Sequence, residues 1–251
     1  MFQVFICLFV LSAIVSASDS QTDFSGRSSQ TERDYFENEF TLGDERENDR
    51  NAMKSAASKW PHGIIPYRFD ENYIEKDRAC ILHAMEVFRK ETCIKFLFKR
   101  SNQTEYIQFK KSDSGCGTLV GYKGEQSNPI DVFLSEKCLS SPGAIQHELL
   151  HIMGLWHEQS RPDRDEYVDI IFDNIQPNHQ HNFAKKDSDL VETFNLPYDY
   201  DSLMHYPNNA FAKPGTNVTI VAKNDPNRKL GQINGPSRYD LEKVRRMYDC
   251  R

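Results

Sequence analysis

The chain has 251 residues, of which 38 % are hydrophobic and 27 % charged, with a formal net charge of −6. The charge is concentrated. Ser18 to Arg50 holds ten acidic and four basic residues, and the body from residue 51 onward balances at 27 of each. A neutral body gives no electrostatic reason to expect nucleic acid or an acidic membrane surface as a partner. Past the first 17 residues no apolar run is long enough to span a bilayer.

The opening stretch, residues 1–17, is apolar but too short for a comfortable membrane span. It reads as a secretory signal peptide cleaved after Val15-Ser16-Ala17, although the usual positive start is missing. The product is therefore expected to be soluble, secreted and extracellular. Residues 18–50 are acidic and poor in aliphatics, and cannot bury a core alone. They read as a tail, a linker or a pro-segment. Residues 51–251 are enough for one domain. Export fits the cysteine usage. Cys7 leaves with the signal peptide, and Cys80, Cys93, Cys116, Cys138 and Cys250 remain. Secreted chains usually pair their cysteines. Five is odd, so at least one stays out of an intrachain pair. Asn102-Gln103-Thr104 and Asn217-Val218-Thr219 are glycosylation sequons.

Along the body, "GIIPYRF" (63–69) reads as a strand. "DRACILHAMEVFRKET" places Ile81, Ala84, Met85 and Phe88 at helical spacing. "CIKFLFK" alternates Ile94, Phe96 and Phe98 and predicts a strand, as do "EYIQFKK" and "IDVFLS". Between the last two lies the glycine-rich "SGCGTLVGYKG", with turns at both ends. This order predicts helices packed on a largely parallel or mixed sheet. A second helix begins at "SSPGAIQHELLHIMG", capped by Ser140 or Ser141, with Pro142 in its first turn. Gly154 stands where the helix would end in a left-handed residue. "PSRYDLEKVRRMYDC" predicts a final amphipathic helix.

The second helix carries the chemistry. His147 and His151 are spaced i, i+4, so one face presents both imidazoles to one ion. Glu148 points in a neighbouring direction, near the metal without being needed as a ligand, and can take a proton from an activated water. A straight helix cannot bring His157 to the same point. The chain must turn sharply, and Gly154 accepts positive φ cheaply. Three neutral nitrogens with one open position describe a catalytic zinc site rather than a closed structural one. A bare His-Glu-x-x-His arises by chance in about one or two chains per hundred of this size; the glycine and third histidine push that below roughly one in ten thousand. His179 and His181, predicted on a loop without a third donor, read as surface or packing residues, and His62 and His83 as ordinary structural ones.

"HELLHIMGLWHEQSRPDRDEYV" (147–168) resembles the extended zinc motif of the astacin family of metalloendopeptidases. "YDYDSLMHY" (198–206) is similar to that family's Met-turn, "KWPHGIIPYRF" (59–69) to its first strand, and "ETCIKF" to its first cysteine segment. The resemblance covers the whole body. Leu155 departs from it, standing where the family usually has phenylalanine. The resemblance implies an α+β, metzincin or zincin-like fold of two subdomains. A twisted, mixed five-stranded sheet with two long helices would form the first, and an irregular subdomain with a final helix the second. The zinc cleft would lie between about 51–154 and 155–251.

The resemblance also implies roles. His147, His151 and His157 would hold one Zn2+ per chain. Glu148 would be general base and then general acid. Met204 would floor the site, and Tyr206, a weak extra ligand, would swing away to donate to the oxyanion. Disulfides would join Cys93 to Cys250 and Cys116 to Cys138, leaving Cys80 as a buried thiol or an intermolecular partner. The acidic leader would be a pro-segment in which Asp44 blocks the zinc, although in "EFTLGDE" Phe40 stands one residue too early for the family's Phe-x-Gly-Asp pattern. A trypsin-like protease would cut Arg50–Asn51, and the freed amino group of Asn51 would pair with Glu158. An extended peptide or protein substrate would pair with an edge strand, expected at "IDVFLS". The end at Arg251 implies no accessory domain, and a monomer is expected. The competing readings are a secreted, non-catalytic binding protein on the same fold and a zinc hydrolase acting on non-peptide substrates.

Overall fold

The computed structural model describes residues 58–124 and 128–251. The expected signal peptide, the acidic leader with Asp44, and the Arg50–Asn51 bond lie outside the described residues. Seven strands are present among the described residues: β1 (Ile64–Phe69), β2 (Lys95–Phe98), β3 (Ile107–Lys111), β4 (Gly117–Thr118), β5 (Ile130–Leu134), β6 (Val168–Ile170) and β7 (Ile220–Ala222). The α-helices are α1 (Glu75–Glu91), α2 (Glu136–Leu139), α3 (Pro142–Met153) and α4 (Arg238–Met247). The first five strands form one sheet in the order β2-β1-β3-β5-β4, parallel except for β4. β6 and β7 form a separate antiparallel pair.

The periodicities account for the packing. Ile81, Ala84, Met85 and Phe88 of α1 are buried, as their helical spacing requires. They join Ile65, Ile107, Phe109, Ile130 and Val132 of the sheet, and Ile145, Leu149 and Ile152 of α3, in one core. Along "CIKFLFK" the alternation holds less well. Ile94, just before β2, is fully buried, but Phe98, at the end of this outer strand, is 64 % exposed. Phe98 still meets Tyr67 edge-on, with ring centres 5.7 Å apart.

One expectation is corrected. "IDVFLS" is not the edge of the sheet, since β5 pairs with β3 on one side and β4 on the other. The edge is β4, within the glycine-rich stretch. Two residues of strand are too few to show a period of two.

The second half is mostly turns and short 3₁₀ segments. α4 closes it with a capping box: Ser237 Oγ accepts from Asp240 N, and Asp240 accepts from Ser237 N. Disulfides join Cys93 to Cys250 and Cys116 to Cys138. The first connects the end of α1 to the end of the chain. Cys80 is buried and outside both. Among the described residues no helix is long and apolar enough to cross a membrane.

Candidate metal centre

α3 begins as its sequence dictates. Ser141 Oγ accepts from Ala144 N, and Pro142 occupies the first turn. Gly143 must be glycine, since a Cβ there would lie 1.8 Å from the carbonyl oxygen of Ile233. At the other end Gly154 adopts φ 106° and ψ 12°, and Leu155 N donates back to Leu150 O at 3.0 Å. The chain turns there, and His157 comes back beneath the helix.

The three histidines meet. His147, His151 and His157 are buried, and one ring nitrogen of each lies within 4.8 Å of the others. His147 Nδ1 donates to Leu203 O at 2.9 Å, and His151 Nδ1 donates to Leu155 O at 2.8 Å. A carbonyl only accepts, so both Nδ1 atoms carry the proton and both Nε2 atoms are left as lone-pair donors. Nε2 of His147 and Nε2 of His157 are 3.3 Å apart. Tetrahedral zinc with bonds of ~2.0–2.1 Å to nitrogen needs ligand atoms about 3.3 Å apart. The donor set therefore fits zinc in type, with the tautomers of His147 and His151 and the His147–His157 spacing matching as well. It is the only group of three or more such side chains among the described residues. His179 and His181 sit instead on the 3₁₀ segment Pro177–Phe183, not on a loop, with His179 stacked on Phe211. His62 and His83 are exposed.

Glu148 is fully buried beside His147. Met204 is buried, and its carbonyl accepts from Glu158 N at 2.8 Å. The Tyr206 ring centre lies 4.5 Å from that of His157, and Tyr206 N donates to Gln159 Oε1. Leu155 is buried and gives its carbonyl to His151, so the departure at that position leaves the second ligand's anchor intact.

Glu158 has more partners than expected. Its carboxylate accepts from Asp199 N at 2.9 Å and Arg161 Nη1 at 3.2 Å, and forms a short ion pair with Lys243 Nζ. Burial alone would raise its pKa, but Lys243 and Arg161 outweigh that and hold it below the usual carboxylate range. Asn51 lies outside the described residues. A small cavity lined by Trp156, Val191, Glu192 and Thr193 opens beside Glu158.

Sequence reading misses Arg161, Lys243, Asp240 and the pair formed by Tyr198 and His205. Asp240 leaves a local trace in the Ser-x-x-Asp cap, and Tyr198 and His205 lie within the Met-turn stretch, but nothing local shows that they pair. His205 is fully buried, with Nε2 accepting from Tyr198 Oη at 2.8 Å and Nδ1 donating to Tyr206 O at 2.7 Å. Burial pushes its imidazole down to about 4, whereas an unfolded histidine titrates at about 6.5. Between those values the unfolded chain binds a proton that the folded one refuses. Stability therefore falls as pH drops through that window, by about 3 kcal/mol from this group. In chelator-treated protein, calorimetry should show that loss, and His205→Gln should flatten it. An equally steep profile in the variant would assign the loss to other groups.

A buried three-histidine site beside a buried acid defines a zinc-hydrolase type of centre. The pattern of the astacin peptidase family matches residues 52–249. The chain is 38 % identical over 194 residues to bone morphogenetic protein 1 of Xenopus laevis, a match covering 76 % of this chain and 27 % of that protein. It is 39 % identical over 202 residues to meprin A subunit alpha of Mus musculus, covering 80 % of this chain and 26 % of that one. The chain thus spans about a quarter of the length of these curated relatives. Among solved structures, it resembles high choriolytic enzyme 1, a hatching enzyme zinc-protease from the medaka Oryzias latipes. That likeness has a TM-score of 0.72 and 37 % identity, covering 80 % of this chain and all of the other. The chain belongs to the astacin family of zinc-dependent peptidases. The α+β fold with a mixed five-stranded sheet is therefore the family's, and zinc is its cofactor.

Proposed function

We propose that the chain is a secreted zinc endopeptidase made as a latent proenzyme. The observation that carries this reading is the convergence of three histidine ring nitrogens beside the buried Glu148, inside a peptidase-family body. Bound zinc supplies a Lewis acid that polarises the scissile carbonyl and acidifies water. His147, His151 and His157 hold it. Glu148 takes the proton of the attacking water and returns it to the leaving amine. Tyr206 donates its hydroxyl to the oxyanion, and Met204 packs beneath the ligands. The substrate runs extended along β4, the outer strand of the sheet on that side. Asn102 and Asn217 are both exposed and serve as glycan acceptors. A secreted binding protein on the same fold would have no need of Glu148, which speaks against that alternative.

Latency rests on Asp44 in the leader 18–50 and ends with cleavage at Arg50–Asn51. The freed amino group of Asn51 then enters the cavity beside Glu158. That carboxylate already has two cations, so the new pair contributes less than a sole partnership would.

The test is to treat the purified full chain with a trypsin-like protease and profile its cuts in a peptide library, with and without a zinc chelator. Chelator-sensitive cutting should follow N-terminal exposure of Asn51, and Asp44→Ala should be active uncleaved. Chelator-insensitive cutting would remove the metallopeptidase reading, and a silent Asp44→Ala proform would remove Asp44 as the block.

Tyr206→Phe should lower kcat by at least about tenfold with little change in KM, since the lost hydroxyl acts on the transition state. A pure KM effect in steady-state kinetics would move Tyr206 to substrate binding.

A further inference from the structure

We propose that α4 is a two-point clamp on the metal centre, in which Asp240 positions His147 and Lys243 positions His157. The two residues are three apart on one helical face, and both are buried, at 0 % and 7 % exposure. A lysine is almost never buried to that extent without a partner. Asp240 accepts from Leu203 N at 2.8 Å and from Ser202 Oγ at 2.6 Å. The carbonyl of that same Leu203 accepts from His147 Nδ1. One residue of the turn thus joins the carboxylate to the first histidine. On the next turn, Lys243 pairs with Glu158, the residue after His157. Glu158 N in turn donates to Met204 O, and its carboxylate holds Asp199 N.

The end of the helix is tied to α3, which carries His147 and His151, and to the segment after α1. Tyr248 Oη donates to Met153 O at the end of α3 at 3.0 Å, and Cys250 is bonded to Cys93. A clamp needs such a fixed base. Without it, Asp240 and Lys243 would follow the turn rather than hold it.

The clamp sets how long the site retains its ion, because partners behind metal ligands typically change affinity by about 10–100-fold. This rests on the metal-site reading above, and the experiment separates the two. Holoprotein of the full chain is mixed with an excess of a strong chelator, and zinc release is followed at a temperature where circular dichroism shows every variant folded. Asp240→Asn and Lys243→Met should each release zinc at least about tenfold faster than the parent. The double variant should release zinc faster than either single one. Lys243→Arg should restore slow release. Arg246→Ala, an exposed neighbour on α4, should behave as the parent. If Asp240→Asn does not fold, Ser202→Ala, which removes one of its bonds, should give a smaller acceleration. A merely structural role predicts lower melting temperatures with unchanged release from the folded protein, and release within twofold of the parent overturns the clamp. A parent that binds no zinc at all would instead overturn the site.

Discussion

Glu148→Gln should keep one zinc per chain and lose peptide hydrolysis by about 10²–10⁴-fold, the range that proton transfer by a placed base contributes. The substitution replaces one oxygen by nitrogen at constant shape, in a side chain that is fully buried on a helix capped at both ends. The histidines keep their own anchors, Leu203 O for His147 and Leu155 O for His151, and neither involves Glu148. Metal content and turnover should therefore separate. Metal analysis and single-turnover kinetics on one preparation check this. Activity within two- or threefold of the parent would place the base elsewhere.

His151→Ala should do the reverse and lose the metal itself. It removes the middle ligand and leaves a cavity where a buried ring stood, with the Leu155 carbonyl deprived of its donor. Lost burial and an unsatisfied carbonyl together cost about 2–5 kcal/mol. A second effect adds to it. Zinc that binds only the folded chain stabilises it by about 4 kcal/mol at a thousand times its dissociation constant. Added zinc should raise the melting temperature of the parent and of Glu148→Gln, and leave that of His151→Ala unmoved. A zinc-dependent rise in His151→Ala would mean that two histidines suffice or that the ion sits elsewhere.

The parts of this site legible in the sequence are those that act over one or two turns of chain. The i, i+4 histidines, the Ser141 cap and the left-handed Gly154 all belong to a single helix and its exit. The pull of Lys243 on Glu158 acts across 85 residues, and no local pattern distinguishes that lysine from the solvated charges around it on α4. His205 is visible as part of the Met-turn, but its partner Tyr198 emerges only when the turn closes. β4 is hidden for a different reason. Its two residues are strand only because β5 lies beside them. Phe98 shows the converse, a residue that the strand pattern places correctly in β2 but that is 64 % exposed.

For the endopeptidase proposed above, the bond between Cys93 and Cys250 bears on attack by other copies of itself. It closes a ring that contains α3, every histidine of the centre, the Met-turn and α4. The exposed stretch at Asp187–Asp189, within that ring, is open to a stray cut. One such cut opens the ring without releasing a fragment. The nicked molecule would run as one species until its disulfides are reduced, and its two pieces would remain at the short separation from which the core can close again. A piece of the ring itself is then lost only after two cuts in one copy.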